Sequence, residues 1–292
     1  MESFKVRGKW WLPDQEDEKI NGVLRFEPRE GGTLELDGTF NSDNEDFIQP
    51  DLIYGKTTEN RKITLHKGHQ VGSSGIKLEN AVETSSFKIE RVFKQGHLKQ
   101  VEFDRIRVEF PYLDTWMNKR TLKEAGSEEE NITKIERKNF SYSVNYEDFK
   151  ITFEATTTGG HTVGEEYTVK RKCFIEIEAE ERTDYQRLNK LISHLQDFLN
   201  LTSGEDVSPS KIVGYLSDEK FPNKDVPITQ DIEVFQIVNQ DFRGEESKAV
   251  QLMLMPFDTF REDLSDVLTT WLSMREENKM KWALNLYFGV RY

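Results

Sequence analysis

The spacing of apolar residues first changes along this chain near Asp184, and that change limits what the chain can fold into. Before it, apolar and polar residues alternate in short runs, which is the two-residue period of a half-buried strand. Val23-Leu24-Arg25-Phe26 and Thr33-Leu34-Glu35-Leu36 flank the turn-like Arg29-Glu30-Gly31-Gly32 and predict a hairpin. Further strands are predicted at Leu52 to Lys56, Lys62 to His66, Phe87 to Phe93, Val101 to Phe110, Phe140 to Tyr146, Lys150 to Ala155 and Glu166 to Glu178. So many strands with short polar connections suit antiparallel sheets. The expected class is β-rich (α+β): an antiparallel β-sandwich or open barrel, followed by a smaller mixed region with amphipathic helices.

After Asp184 apolar residues recur every three or four positions, at Tyr185, Leu188, Leu191, Ile192, Leu195, Phe198 and Leu199, and Gly204 supplies a stop. That is the stripe of an amphipathic helix. Strand-like segments follow at Lys211 to Leu216 and Ile232 to Val238. Helical spacing then returns at Phe260, Leu264, Val267, Leu268, Trp271 and Leu272, with Thr259 and Glu262 spaced as a capping box just after Pro256. A further helix is expected from near Glu277 towards the end. The chain thus reads as a β-rich domain over 1–181, with a polar loop near 123–138 that can separate two subregions, then a helix with strands packed on it over 182–256, then C-terminal helices over 257–292. The last of these presents Trp282, Leu286 and Phe288 with no polar tail after them, the pattern expected where a chain leads into a further domain.

Charge and cysteine content narrow the chemistry. A formal charge of −13 over 292 residues works against nonspecific binding to nucleic acid, whose affinity comes from Lys and Arg displacing counterions. Cys173 is the only cysteine, so neither an intrachain disulfide nor a thiolate zinc cluster can form. No stretch approaches the roughly 20 apolar residues of a membrane span, and the charged N-terminus lacks an apolar signal core. The cytoplasm is the expected compartment. No nucleophile elbow, phosphate-cradling loop, dinucleotide fingerprint or zincin helix occurs, so no cofactor is expected.

Segments spread along the chain carry a family resemblance. The opening Gly8-Lys9-Trp10-Trp11-Leu12-Pro13, then Asn21-Gly22-Val23-Leu24-Arg25-Phe26 and Leu34-Glu35-Leu36-Asp37-Gly38, resemble the start of the ApeA N-terminal domain. Leu195-Gln196-Asp197-Phe198-Leu199 with Thr202-Ser203-Gly204 is similar to the helix that ends that family's long β region, and Trp271 stands where its Trp-bearing helix is expected. The resemblance implies the sensing or regulatory part of an abortive-infection antiphage protein. Its expected partners are a HEPN ribonuclease domain, in cis or in trans, and a phage protein as trigger. RNA would be met only through that absent domain, so no catalytic residue is carried over.

Four residues remain as site candidates. Arg187 and His194 have six residues between them, which fits the Arg-x(4–6)-His spacing of HEPN nucleases, where His would move a proton and Arg would steady the phosphate charge. Leu188 replaces the usual polar neighbour, and both residues flank the apolar stripe, so the expected role is structural. Trp10 and Trp11, as neighbours on a strand, point to opposite faces. An exposed one could anchor a ligand, which gives the alternative reading of a carbohydrate- or small-ligand-binding β-sandwich. His66-Lys67-Gly68-His69 reads as a solvated turn without a third metal ligand, and His97 and His161 read as hairpin turns.

Overall fold

The computed structural model describes residues 1–40, 47–74, 83–118, 122–125, 134–137, 139–159, 169–220, 227–238, 254–260 and 262–276. The chain divides into two compact units, Met1–Phe103 with Lys211–Asp241 and Asp104–Ser210 with Phe242–Tyr292. Chain order and unit membership therefore differ: the junctions expected at 181/182 and 256/257 both fall inside the second unit.

The first unit is built on β1 (Phe4–Trp11), β2 (Ile20–Glu27), β3 (Gly31–Leu36), β4 (Leu52–Thr57), β5 (Lys62–Ser74) and β6 (Thr84–Lys94). All pair antiparallel in the order β6-β3-β2-β1-β4-β5, and β5 pairs again with β6. The barrel is therefore closed, where the sequence left a sandwich or an open barrel. Closure satisfies the backbone groups that an open edge would leave unpaired. Period-two alternation sends Leu24, Phe26, Leu34, Leu36, Ile53 and Phe87 into one core, each essentially without solvent contact. One edge of β6 serves two partners: Ser85 to Ile89 pair with β3, and Arg91 to Lys94 pair with β14 (Pro227–Gln236). Strand β13 (Lys211–Lys220) pairs with β14. A hairpin more than a hundred residues downstream thus completes this unit.

The second unit contains β7 (Glu102–Glu109) from Asp104 onward, the short α1 (Leu113–Met117), β8 (Leu122–Ala125), β9 (Lys134–Arg137), β10 (Phe140–Tyr146), β11 (Phe149–Gly159) and β12 (Val169–Asp184). Helices α2 (Tyr185–Ser203) and α3 (Leu264–Glu276) complete it. Its sheet runs β10-β11-β12-β7. Strands β8 and β9 pair with each other, so the polar stretch near 123–138 holds a short ladder where the sequence suggested a loop. Backbone pairing does not require an apolar face, so the composition gave no sign of it.

Helix α2 begins and ends where its sequence signals stand. The Asp184 carboxylate accepts from the Gln186 N–H at 2.6 Å, and Gly204, at φ +70°, donates its N–H to the Asn200 carbonyl. Helix α3 differs. Residues Phe257–Phe260 form a 3-10 turn, and α3 starts only at Leu264, with the Val267 N–H bonded to the Asp263 carbonyl. Phe257 and Phe260 are both buried, so packing of these rings overrides the Thr259–Glu262 capping pattern. The helix expected after Glu277 and residues Trp282, Leu286 and Phe288 lie outside the described residues. His66 to His69 sit within β5, where the sequence suggested a turn, with Lys67 at φ +54°.

Candidate functional site

Strand β1 places Trp10 and Trp11 on its two faces. Trp10 points into the barrel core and is fully buried. Glycines make its space: a Cβ on Gly55 would lie 2.2 Å from Trp10 Cζ3, and one on Gly22 would lie 3.1 Å from Cδ1. The Trp10 indole N–H finds no acceptor among the described residues. Trp11 is on the other face, yet it is only 3% exposed. Tyr54 and His97 pack edge-on against it at 6.4 and 5.2 Å, and Lys19 Nζ stands 4.7 Å over its ring.

The covering rings are themselves fixed. Tyr54 stacks on His97 at 4.9 Å, its hydroxyl donates to the Leu98 carbonyl at 3.0 Å, and His97 Nε2 bonds the Gly55 carbonyl oxygen at 2.9 Å. Burial lowers the His97 pKa and raises that of Tyr54, so both are neutral near pH 7. Neither tryptophan presents an open ring face for a sugar or small ligand. Trp116 is 1% exposed, and Tyr112 is half-buried.

Arg187 and His194 lie on α2 but engage different neighbours. The Arg187 guanidinium holds both oxygens of Asp148, at 2.7 and 2.6 Å, and Glu147 at 3.2 Å, while stacking over Phe149 at 4.7 Å. Glu147 and Asp148 form the turn between β10 and β11, with Glu147 at φ +52°. Arg187 therefore clamps a strained hairpin turn onto α2, and its hydrogen bonds pull Asp148 below the usual carboxylate range.

His194 is 8% exposed. Burial, with Arg275 nearby, depresses its pKa to about 4, so the ring stays neutral near pH 7. Its backbone carbonyl accepts from Trp271 Nε1 at 2.8 Å, and Arg275 pairs with Asp197 one turn further along α2. A neutral histidine could accept a proton, but the arginine needed beside a phosphate is committed to two carboxylates. The pair is used to hold α2 against the β10–β11 turn and against α3.

Other chemistry is limited. Burial pushes the Cys173 thiol up to about 11, which leaves little thiolate at neutral pH. Among the described residues no group of three or more His, Cys, Asp or Glu is placed to hold a metal, and His161 lies outside them. No described helix is long and apolar enough to cross a membrane.

Sequence reading missed the aromatic centre of the second unit. Trp116, on a helix of five residues too short for a period to show, meets Phe153 at 5.9 Å, Phe198 at 6.0 Å and Phe257 at 5.3 Å, and its indole N–H donates to the Met255 carbonyl at 2.8 Å. These partners come from a strand, a helix and a turn far apart in the chain. A family model described as ApeA N-terminal domain 1 matches residues 5–271. The chain belongs to the ApeA N-terminal domain 1 family. No curated protein and no solved structure matches it. The family match takes in both units, including Trp10, Trp11, Trp116, Arg187 and His194, and ends at Trp271, within α3.

Proposed function

We propose that this chain is the sensing and regulatory N-terminal region of an antiphage-defence protein, which recognises a phage-derived signal and controls a HEPN ribonuclease domain in cis or on a partner polypeptide. The observation that carries this reading is the family match over residues 5–271, since ApeA N-terminal domains are associated with antiphage defence. The side chains support a division of labour. Arg187 is bound to Asp148 and Glu147, and His194 is packed beneath α3, so the nuclease-like spacing on α2 has a structural use and RNA cleavage is assigned to another domain.

The test is RNA integrity in cells carrying the complete natural locus, before and after phage infection, compared with the same locus lacking residues 5–271. The intact locus is expected to cleave RNA only after infection, and the deletion to uncouple cleavage from infection. Infection-dependent cleavage that survives the deletion, or a locus that never cleaves RNA, would overturn the proposal. Purified wild-type chain and His194→Ala are expected to behave identically on RNA. The ligand-binding alternative loses its aromatic platform, because the rings of Trp10 and Trp11 are covered.

A further inference from the structure

Within the second unit, helices α2 and α3 run antiparallel: Lys190 pairs with Glu276 at one end, and Phe198 meets Phe260 at the other. Between them opens a groove of about 410 Å³, lined by Phe198, Leu201, Met255, Val267, Trp271 and Met274. Its walls are almost wholly apolar, and Met274 and nearby Leu254 are 36% and 52% exposed. Exposed apolar surface gathered in a concavity is characteristic of a docking site, and flexible methionines adapt to the ridge of an incoming helix.

Among the described residues that line the groove, Asp266 is the only charged one. Glu262 and Asp263 immediately precede α3 and, like Asp266, are exposed. The carboxyl end of α2 lies at the same end of the groove, where the Thr202 carbonyl accepts the Met255 N–H, and the amino end of antiparallel α3 stands beside it, so the two helix dipoles offset and the side-chain carboxylates set the charge. The cations of α2 and α3 are already engaged, Arg187 by Asp148, Lys190 by Glu276 and Arg275 by Asp197. An apolar slot with an acidic end calls for an apolar ridge flanked by Lys or Arg.

We infer that the α2–α3 groove binds a basic amphipathic helix of a partner polypeptide, its apolar ridge entering between Leu201 and Met274 and its cations meeting Asp266, Glu262 and Asp263. This rests on the geometry of the second unit and is independent of the defence reading. The probe is a fluorescein-labelled Leu/Lys amphipathic peptide of about 18 residues, five helical turns, titrated into the 292-residue protein. A Leu/Glu peptide of the same pattern and a scrambled Leu/Lys peptide serve as controls.

The Leu/Lys peptide is expected to bind at least about tenfold more tightly than either control, because like charges at the acidic end repel the first and the second lacks an apolar face. Asp266→Lys should weaken binding by about fivefold, and Met274→Asp by more than about tenfold. Both positions are exposed, so the variants should keep the wild-type circular dichroism spectrum. A photo-crosslinking residue in place of exposed Thr270 should capture the peptide. Equal binding of the Leu/Glu or scrambled peptide, or binding unchanged by both substitutions, would overturn the inference. So would capture, in place of the peptide, of the chain's own residues 277–292 or of a second copy.

Discussion

The two units bury their largest rings by opposite means. In the barrel, Trp10 fits because Gly22 and Gly55 provide no side chain where the ring must pass. In the second unit, Trp116 fits because Phe153, Phe198 and Phe257 arrive from separate segments to surround it. A closed barrel has a fixed interior, so its packing depends on side chains that are left out. An open sheet covered by helices has an adjustable gap, and its packing depends on side chains brought in. The first arrangement is therefore most sensitive to added atoms, and the second to removed ones.

The sharpest way to break this contrast is Trp116→Ala, which removes the common partner of three rings and leaves the Met255 carbonyl without its donor. A loss of about 3–5 kcal/mol is expected by urea unfolding. Hydrogen exchange should accelerate in β11 and α2 more than in β1 and β4, and a uniform change would mean that the ring is not specific to its unit. Gly55→Ala is the complementary test. The new Cβ would overlap the Trp10 ring, with an expected cost of about 1–3 kcal/mol. Combining it with Trp10→Leu should recover part of that loss, whereas a purely additive pair would argue that the glycine is needed for its backbone alone.

Acidification acts on both units, through His97 in the barrel and through His194, lowered to about 4, in the second. His194 binds a proton less readily in the folded chain, with a pKa of about 4, than in the unfolded chain, near 6.5. The unfolded state therefore holds more protons between those values, and stability rises with pH. The contribution is fully present above about pH 6.5 and lost as pH falls towards 4. A His194→Gln variant should flatten this dependence, and an unchanged profile would exclude His194 as its source. The smallest effect is expected for Arg187→Ala. Its ion pairs are exposed, so about 1 kcal/mol or less should be lost, while the carboxyl of Asp148 should titrate closer to its ordinary value by NMR.

Legibility followed the same division. The β2–β3 hairpin, strands β4 to β7 and β10 to β12, and helix α2 from the change of period at Asp184 to its stop at Gly204 could be read because each shows its own period or terminal residue. The nuclease-like spacing of Arg187 and His194 was also visible, and its structural use was expected from the apolar stripe beside it. What held Arg187 was not legible, because Glu147 and Asp148 belong to a turn about 40 residues earlier. The start of α3 was misplaced because a local capping pattern yields to the burial of Phe257 and Phe260. The β8–β9 ladder was missed because its pairing uses backbone groups that carry no side-chain signal.

The sequence by itself determined which segments extend and which coil, since a strand repeats every two residues and a helix every 3.6, and either period is imposed by backbone geometry on neighbouring residues. Tertiary structure alone decided that β5 closes onto β6, that β14 shares the β6 edge with β3, and that Trp116 gathers its rings from three distant segments. Those choices depend on apolar burial and edge pairing between residues far apart in the chain, and no local period records them.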